Sequence, residues 1–136
     1  EKLPEVWLDE NLVKQVIMNM LVNARHAIED GGSITIKTRS RPGYRVPDSD
    51  NVIRDMAEIT IRDTGCGIPG EDLQKIFDPF FTTKGVGKGT GLGLSVSHGT
   101  IETHGGAIEV ESEVGEGTEF RIYLPVEGLG NRRSDA

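Results

Sequence analysis

The stretch FFTTKGVGKGTGLGLS, residues 80–95, sets five glycines and two lysines between an aromatic pair and the start of an apolar segment. A plain connector has no use for lysines spaced among glycines, nor for a glycine ladder that runs straight into a helix start. Gly85, Gly87, Gly89, Gly91 and Gly93 leave the backbone free to approach a ligand closely. A helix N-terminus behind them presents unsatisfied N–H groups that suit phosphate. The stretch reads as a phosphate-binding lid, and a lid of that kind requires the rest of the chain to build a nucleotide site around it.

Composition narrows the field. The chain has 136 residues, with 22 acidic against 15 basic and a formal charge of −7. That length fits one domain burying about two-thirds of its unfolded surface. The acidic balance speaks against a nucleic-acid-binding module, which carries a basic face. Neither a long apolar run nor a signal-peptide pattern is present, so a soluble, cytoplasmic domain without membrane contact of its own is expected. The one cysteine, Cys66, excludes an internal disulfide and a Cys-cluster metal site, and fits a reducing compartment.

Working outward from the lid, the pattern predicts a short helix at about 70–76 before it and a helix at about 92–103 after it, closed by His104-Gly105-Gly106. AIEVESE (107–113) and GTEFRIYLP (117–125) form a hairpin across Val114-Gly115-Glu116. Toward the N-terminus, residues 5–8 read as a short strand. Asp9 caps a helix from Glu10 to about Glu29, closed by Asp30-Gly31-Gly32. Val13, Val16, Ile17, Met20, Leu21, Ala24, Ala27 and Ile28 share one apolar arc of that helix. SITIKTRS (33–40) and AEITIRDTG (57–65) alternate like strands and pair as an antiparallel hairpin, with 41–56 as a solvated loop between them. The tail 126–136 is expected to be disordered, leaving 1–125 as the domain. This order predicts an α+β two-layer sandwich, a mostly antiparallel mixed sheet packed against helices.

Three groups of residues carry chemistry. Gln15, Asn19, Asn23 and His26 fall on one polar stripe of the first helix. Asparagine is a mediocre helix former, so two at i, i+4 in mid-helix need a reason. Their amide oxygens can help complete an octahedral Mg²⁺ shell with substrate phosphates and waters; a solvated polar face is the competing explanation. In DTGCGIP (63–69), Asp63 ends an alternating strand and Gly65 and Gly67 thin the backbone. A carboxylate there accepts from the exocyclic N6–H₂ of adenine and repels the O6 of guanine, whereas an ordinary Asp-Thr-Gly turn would bind nothing. IFDPFFTTK (76–84) gathers Phe77, Phe80 and Phe81 around Pro79, an apolar cluster able to anchor one end of the lid or meet a partner.

Taken in order, Asn19/Asn23, Asp63-x-Gly65-x-Gly67, Phe77–Phe81 and Gly89-Thr90-Gly91-Leu92-Gly93-Leu94 resemble the N, G1, F and G2 boxes of sensor histidine kinases. Their fold is the Bergerat ATP-binding fold of gyrase-type, chaperone-type and mismatch-repair ATPases. The close HGGAIEVESEVGEGTEFRIYLP (104–125) also resembles the family's end, and FDPFFTTK beside GTGLGLS is most similar to nitrogen-regulation-type kinases. The resemblance implies ATP and Mg²⁺ as cofactors. It gives Asp63 the adenine N6, with Gly65, Gly67, Ile68 and Phe77 shaping the pocket and Thr118 acting near the base through water. It gives Asn19 and Asn23 the metal and phosphate side, and His26 the position of a basic residue there. Lys84 and Lys88 reach the β- and γ-phosphates, and Gly89, Thr90, Gly91, Leu92, Gly93 and Leu94 cradle them with the helix start.

The resemblance also implies what is supplied from elsewhere. A phosphoacceptor histidine of the family is followed by an acidic residue, whereas His26, His98 and His104 precede Ala27, Gly99 and Gly105. His98 and His104 read as structural, and Cys66 as a small side chain between two glycines. The acceptor would sit on a helical dimerisation domain of the same kinase, with a response regulator receiver domain as the indirect partner. The isolated piece would be a monomer and the full kinase a homodimer, with membrane anchoring of the parent left open. Two alternatives stand beside this. One is another Bergerat-fold ATPase or an anti-sigma-type serine kinase, against which an asparagine rather than a water-activating glutamate at position 19 argues. The other is a non-catalytic ATP-sensing module.

Overall fold

The computed structural model describes residues 9–28, 31–47, 52–79, 81 and 93–126. The expected strand at 5–8, Phe80, the lid at 82–92 and the tail beyond Val126 lie outside them. Helix α1 (Glu10–Ala27) starts where expected, because the Asp9 side chain accepts from the Leu12 N–H at 3.2 Å. It ends two residues before Glu29. The Ala27 carbonyl, which a longer helix would use internally, instead accepts the Cys66 N–H at 3.0 Å, so a tertiary bond ends the helix.

Strands β1 (Ile34–Arg45) and β2 (Ile53–Asp63) form the first hairpin, and β3 (Ala107–Glu113) and β4 (Gly117–Pro125) the second. The sheet order is β1-β2-β4-β3, antiparallel throughout the described residues, with Asp63 opposite Thr118. The expected loop at 41–56 is not one. The ladder continues past Ser40 and Ala57 to Arg45 and Ile53, slipping between Arg41 and Tyr44. Pro42-Gly43 is a bulge rather than a turn: Gly43 adopts φ 67° and donates its N–H to the Asp55 carboxylate at 3.1 Å. What holds the extension is Tyr44, buried and stacked on Tyr123 with ring centroids 4.1 Å apart over Met56. Val126 also stays with the sheet, its N–H bonded to the Asp55 carbonyl at 3.0 Å.

Helix α2 (Gly70–Leu73) is shorter than expected, and the chain continues through successive three-residue turns to Phe81. Helix α3 (Gly93–Thr103) matches its expected range and closes at Gly105, with φ 79°. Both long helices cover one sheet face. Val13, Val16 and Met20 of α1 and Ile101 of α3 bury against Ile61, Phe120, Ile122 and Leu124. Burying each such side chain contributes roughly 1.5–3 kcal/mol. The opposite face is open and charged, with Arg39, Arg41, Glu58, Glu109 and Arg121 in an ion-pair lattice. None of the described helices is long and apolar enough to cross a membrane.

Candidate functional site

Period-2 alternation carries β2 through Ile59 and Ile61 and leaves Asp63, at the strand's end, on the helix-covered face. The residue is 5% exposed, and its Oδ1 accepts the Gly65 N–H at 2.8 Å. Thr118, equally buried, is its cross-strand partner. The chain beyond Asp63 is thin because it must be. A Cβ on Gly65 would lie 2.6 Å from the Ala27 backbone. Gly67, at φ 79°, has no room for one against the Glu113 carbonyl. The loop is thereby wedged between the C-terminal end of α1 and the β3–β4 turn, where the Cys66 carbonyl accepts the Gly115 N–H at 2.8 Å. The Cys66 thiol is exposed and free.

Ser112 completes this end and was not singled out in the sequence. Its Oγ accepts the Ile68 N–H at 2.7 Å, donates to the Gly117 carbonyl at 3.0 Å and meets the Thr118 hydroxyl at 2.7 Å. The three-residue turn Val114-Gly115-Glu116 was the available signal, since a hairpin closed there sets Ser112 opposite Thr118.

At the other end, Asn19 donates from Nδ2 to the Gly93 carbonyl at 3.4 Å and to the Ser97 hydroxyl at 3.2 Å, both on α3. Asn23 lies one turn closer to the Asp63 loop and is half-buried, while Gln15 and His26 on the same stripe are exposed. Phe77 and Phe81 pack against the main core, as does Leu94, and Phe77 also meets the His98 ring at a centroid distance of 4.9 Å. The structure thus gathers Gly65, Gly67, Ile68 and Thr118 about Asp63, and joins Asn19 to Gly93 further along α1, with Asn23 one helical turn between. Lys84, Lys88, Gly89, Thr90, Gly91 and Leu92 are outside the described residues.

Among the described residues there is no cluster of three or more histidine, cysteine or acidic side chains that could cage a metal. The donors available are the two asparagine amides. They suit a hard cation that takes few protein ligands and completes its shell with phosphate oxygens and water. A concavity of about 520 Å³ lies on the open sheet face among Lys37, Arg39, Arg41, Glu58, Glu109 and Arg121. Its three arginines are already engaged by those carboxylates, so it is an ion-pair lattice and not a second candidate site.

Comparison with known proteins fits this geometry. The family described as histidine kinase-, DNA gyrase B-, and HSP90-like ATPase matches residues 8–128. The chain belongs to that family. Its four antiparallel strands and covering helices are the ATPase fold of the histidine kinase neighbours. Sensor kinase CckA of Brucella abortus (strain 2308) is 51% identical over 128 residues, covering 88% of this chain and 13% of that protein. The nucleotide-free catalytic domain of histidine kinase ThkA superposes with a TM-score of 0.68 at 34% identity, covering 88% of this chain and 71% of that one. Full-length ShkA in complex with AMPPNP matches with a TM-score of 0.73 at 27% identity, covering 90% of this chain and 23% of that one. The chain therefore spans a small part of the full-length kinases it matches.

Proposed function

We propose that this ATPase-family domain binds ATP·Mg²⁺ and transfers the γ-phosphoryl group to a histidine on a helical dimerisation domain of a sensor histidine kinase. The observation that carries the reading is the polarity along α1. Ala27 is wedged against the Asp63 loop and Asn19 is bonded to the start of α3, eight residues and about 12 Å apart. A nucleotide laid along that edge has its base at Asp63 and Thr118 and its phosphates at Asn23, Asn19 and the α3 N-terminus.

Asp63 then accepts from adenine N6, Thr118 acts beside it through water, and Gly65, Gly67, Ile68 and Phe77 bound the base pocket. Asn19 and Asn23 would hold Mg²⁺, His26, exposed beside Ala27, is left outside that polarity, and Lys84 and Lys88 would neutralise the β- and γ-phosphates. Gly89, Thr90, Gly91, Leu92, Gly93 and Leu94 bring backbone N–H groups to the phosphates. Mg²⁺ held there would supply charge neutralisation to the phosphates, and the domain's own contribution is positioning. The AMPPNP bound by ShkA, a structural relative, supports the nucleotide class. A response regulator would be the downstream acceptor.

Calorimetry on two variants tests the reading. Asp63→Asn replaces a pure acceptor with a group that can present a donor, and should cost ATP affinity roughly tenfold to over a hundredfold. Asn23→Ala should weaken ATP·Mg²⁺ and leave adenosine unaffected. Unchanged ATP affinity in the first removes the adenine assignment, and equal losses for both ligands in the second reduce the asparagine stripe to scaffold.

A further inference from the structure

Ser97 is a hydroxyl with no access to solvent, on the helix face that also buries Ile101. A buried hydroxyl of this kind is retained where it has a partner, and the partner here is the Asn19 amide at 3.2 Å. An asparagine amide has a twofold ambiguity: rotation by half a turn exchanges the oxygen and the NH₂ at almost no cost in water. Asn19 has lost that freedom. The Gly93 carbonyl, 3.4 Å from Nδ2, can only accept, so the NH₂ end must face α3. Ser97 takes the second N–H one helical turn further along. With both donors engaged on α3, the carbonyl end of Asn19 is turned outward.

We infer that Ser97 is a positioning residue: the Gly93 carbonyl sets which way the Asn19 amide faces, and the shorter bond to Ser97 holds it there with Oδ1 presented to the phosphate-bound metal. The inference rests on the assignment of Asn19 to the metal side made above. A metal accepts only the oxygen of an amide, so an amide that samples both orientations offers a ligand only part of the time. Fixing it in advance removes that conformational cost before the metal arrives. The same two bonds tie the metal side of α1 to the first turn of α3, the helix whose N-terminus faces the phosphates.

The readout is the metal advantage, the ratio of AMPPNP affinities measured by calorimetry with saturating Mg²⁺ and with EDTA. Ser97→Ala should lower that ratio by about three- to tenfold, the value of one net hydrogen bond, while the affinity in EDTA stays unchanged. Ser97→Thr, which keeps the hydroxyl, should restore the ratio. In ¹⁵N-edited spectra of the free domain, the Asn19 side-chain NH₂ pair, assigned by its loss in Asn19→Ala, should be well dispersed in the parent protein. It should collapse toward solvent-exposed positions in Ser97→Ala. An equal loss with and without metal, or no change in ratio and spectrum, would reduce Ser97 to packing and overturn the inference. Asn19→Ala separates the two levels. If it keeps the full metal advantage, the metal assignment itself falls; if it abolishes the advantage while Ser97→Ala does not touch it, only the role of Ser97 falls.

Discussion

Gly67 shows how a single position without a side chain can hold a loop in shape. Its φ of 79° is a left-handed conformation that other residues rarely adopt, and a Cβ there would collide with the Glu113 carbonyl at the start of the β3–β4 turn. The loop from Gly65 to Pro69 therefore depends on it for contact with Ser112 and Gly115. Gly67→Ala should push the loop off the turn, breaking the Cys66–Gly115 and Ile68–Ser112 bonds together. The expected result is a loss of about 1–3 kcal/mol of stability, read by denaturant titration, with a larger proportional loss of nucleotide affinity. Gly115→Ala is the control. It shares the positive φ but has open space around its missing Cβ, so it should lower stability and spare the pocket.

The hairpin of β1 and β2 is where sequence and structure part, and the reason is chemical. Pro42, Gly43 and the acidic residues around position 50 carry every local mark of a loop. Tyr44, Met56 and Tyr123 supply a second small core that only tertiary contact reveals, and it draws both strands onward through a bulge. By contrast, α1, α3 and the β3–β4 hairpin were legible to within two residues, since each carries its own period, cap or three-residue turn. Around the candidate site, Asn19 and the glycines at 65 and 67 stood out in the sequence because each violates a local preference, and the structure gives the glycines their reason in close backbone packing. Ser97 and Ser112 did not, because a lone serine in a helix or strand violates none. The extended hairpin carries its own prediction. Burial alone would raise the Glu58 carboxyl, but the hydrogen bonds and charges of Arg39, with Tyr123 and Arg41, hold it below the ordinary value of 4.5. A depressed carboxyl stabilises the fold above its unfolded value and loses that contribution as pH falls through the lower folded one. Stability measured from pH 7 downward should therefore fall below about pH 4.5. Glu58→Gln should start less stable at neutral pH and show a flatter acid limb. An unchanged acid limb would place the acid sensitivity elsewhere.

At the scale of the whole molecule, the question is where the phosphoryl group would go if the domain transfers one as proposed. None of its three histidines has the acidic following residue of an acceptor in the resembling family. His104 is spent on structure, its Nε2 accepting the Asp9 N–H at 2.9 Å while Nδ1 lies 2.8 Å from the Thr100 carbonyl, so the ring ties the start of α1 to the end of α3. His98 packs its ring on Phe77 and sets Nδ1 3.4 Å from Glu102. His26 is exposed in the last turn of α1, next to Ala27, without the acidic neighbour that accompanies an acceptor in the resembling family. An in-line attack on the γ-phosphorus also needs a nucleophile that approaches from outside the phosphate chain, whereas His26 sits on the same stripe as the asparagines proposed to bind that chain. The domain incubated alone with γ-labelled ATP and Mg²⁺ should therefore acquire no stable label. Supplied with a helical segment carrying a histidine followed by an acidic residue, it should label that segment with an acid-labile, alkali-stable bond, the behaviour of phosphohistidine. Labelling should vanish with Asn23→Ala and persist with His98→Gln and His26→Gln. Stable label on His26, His98 or His104 of the isolated domain would mean that the acceptor is internal, and the division of labour between two domains would be wrong.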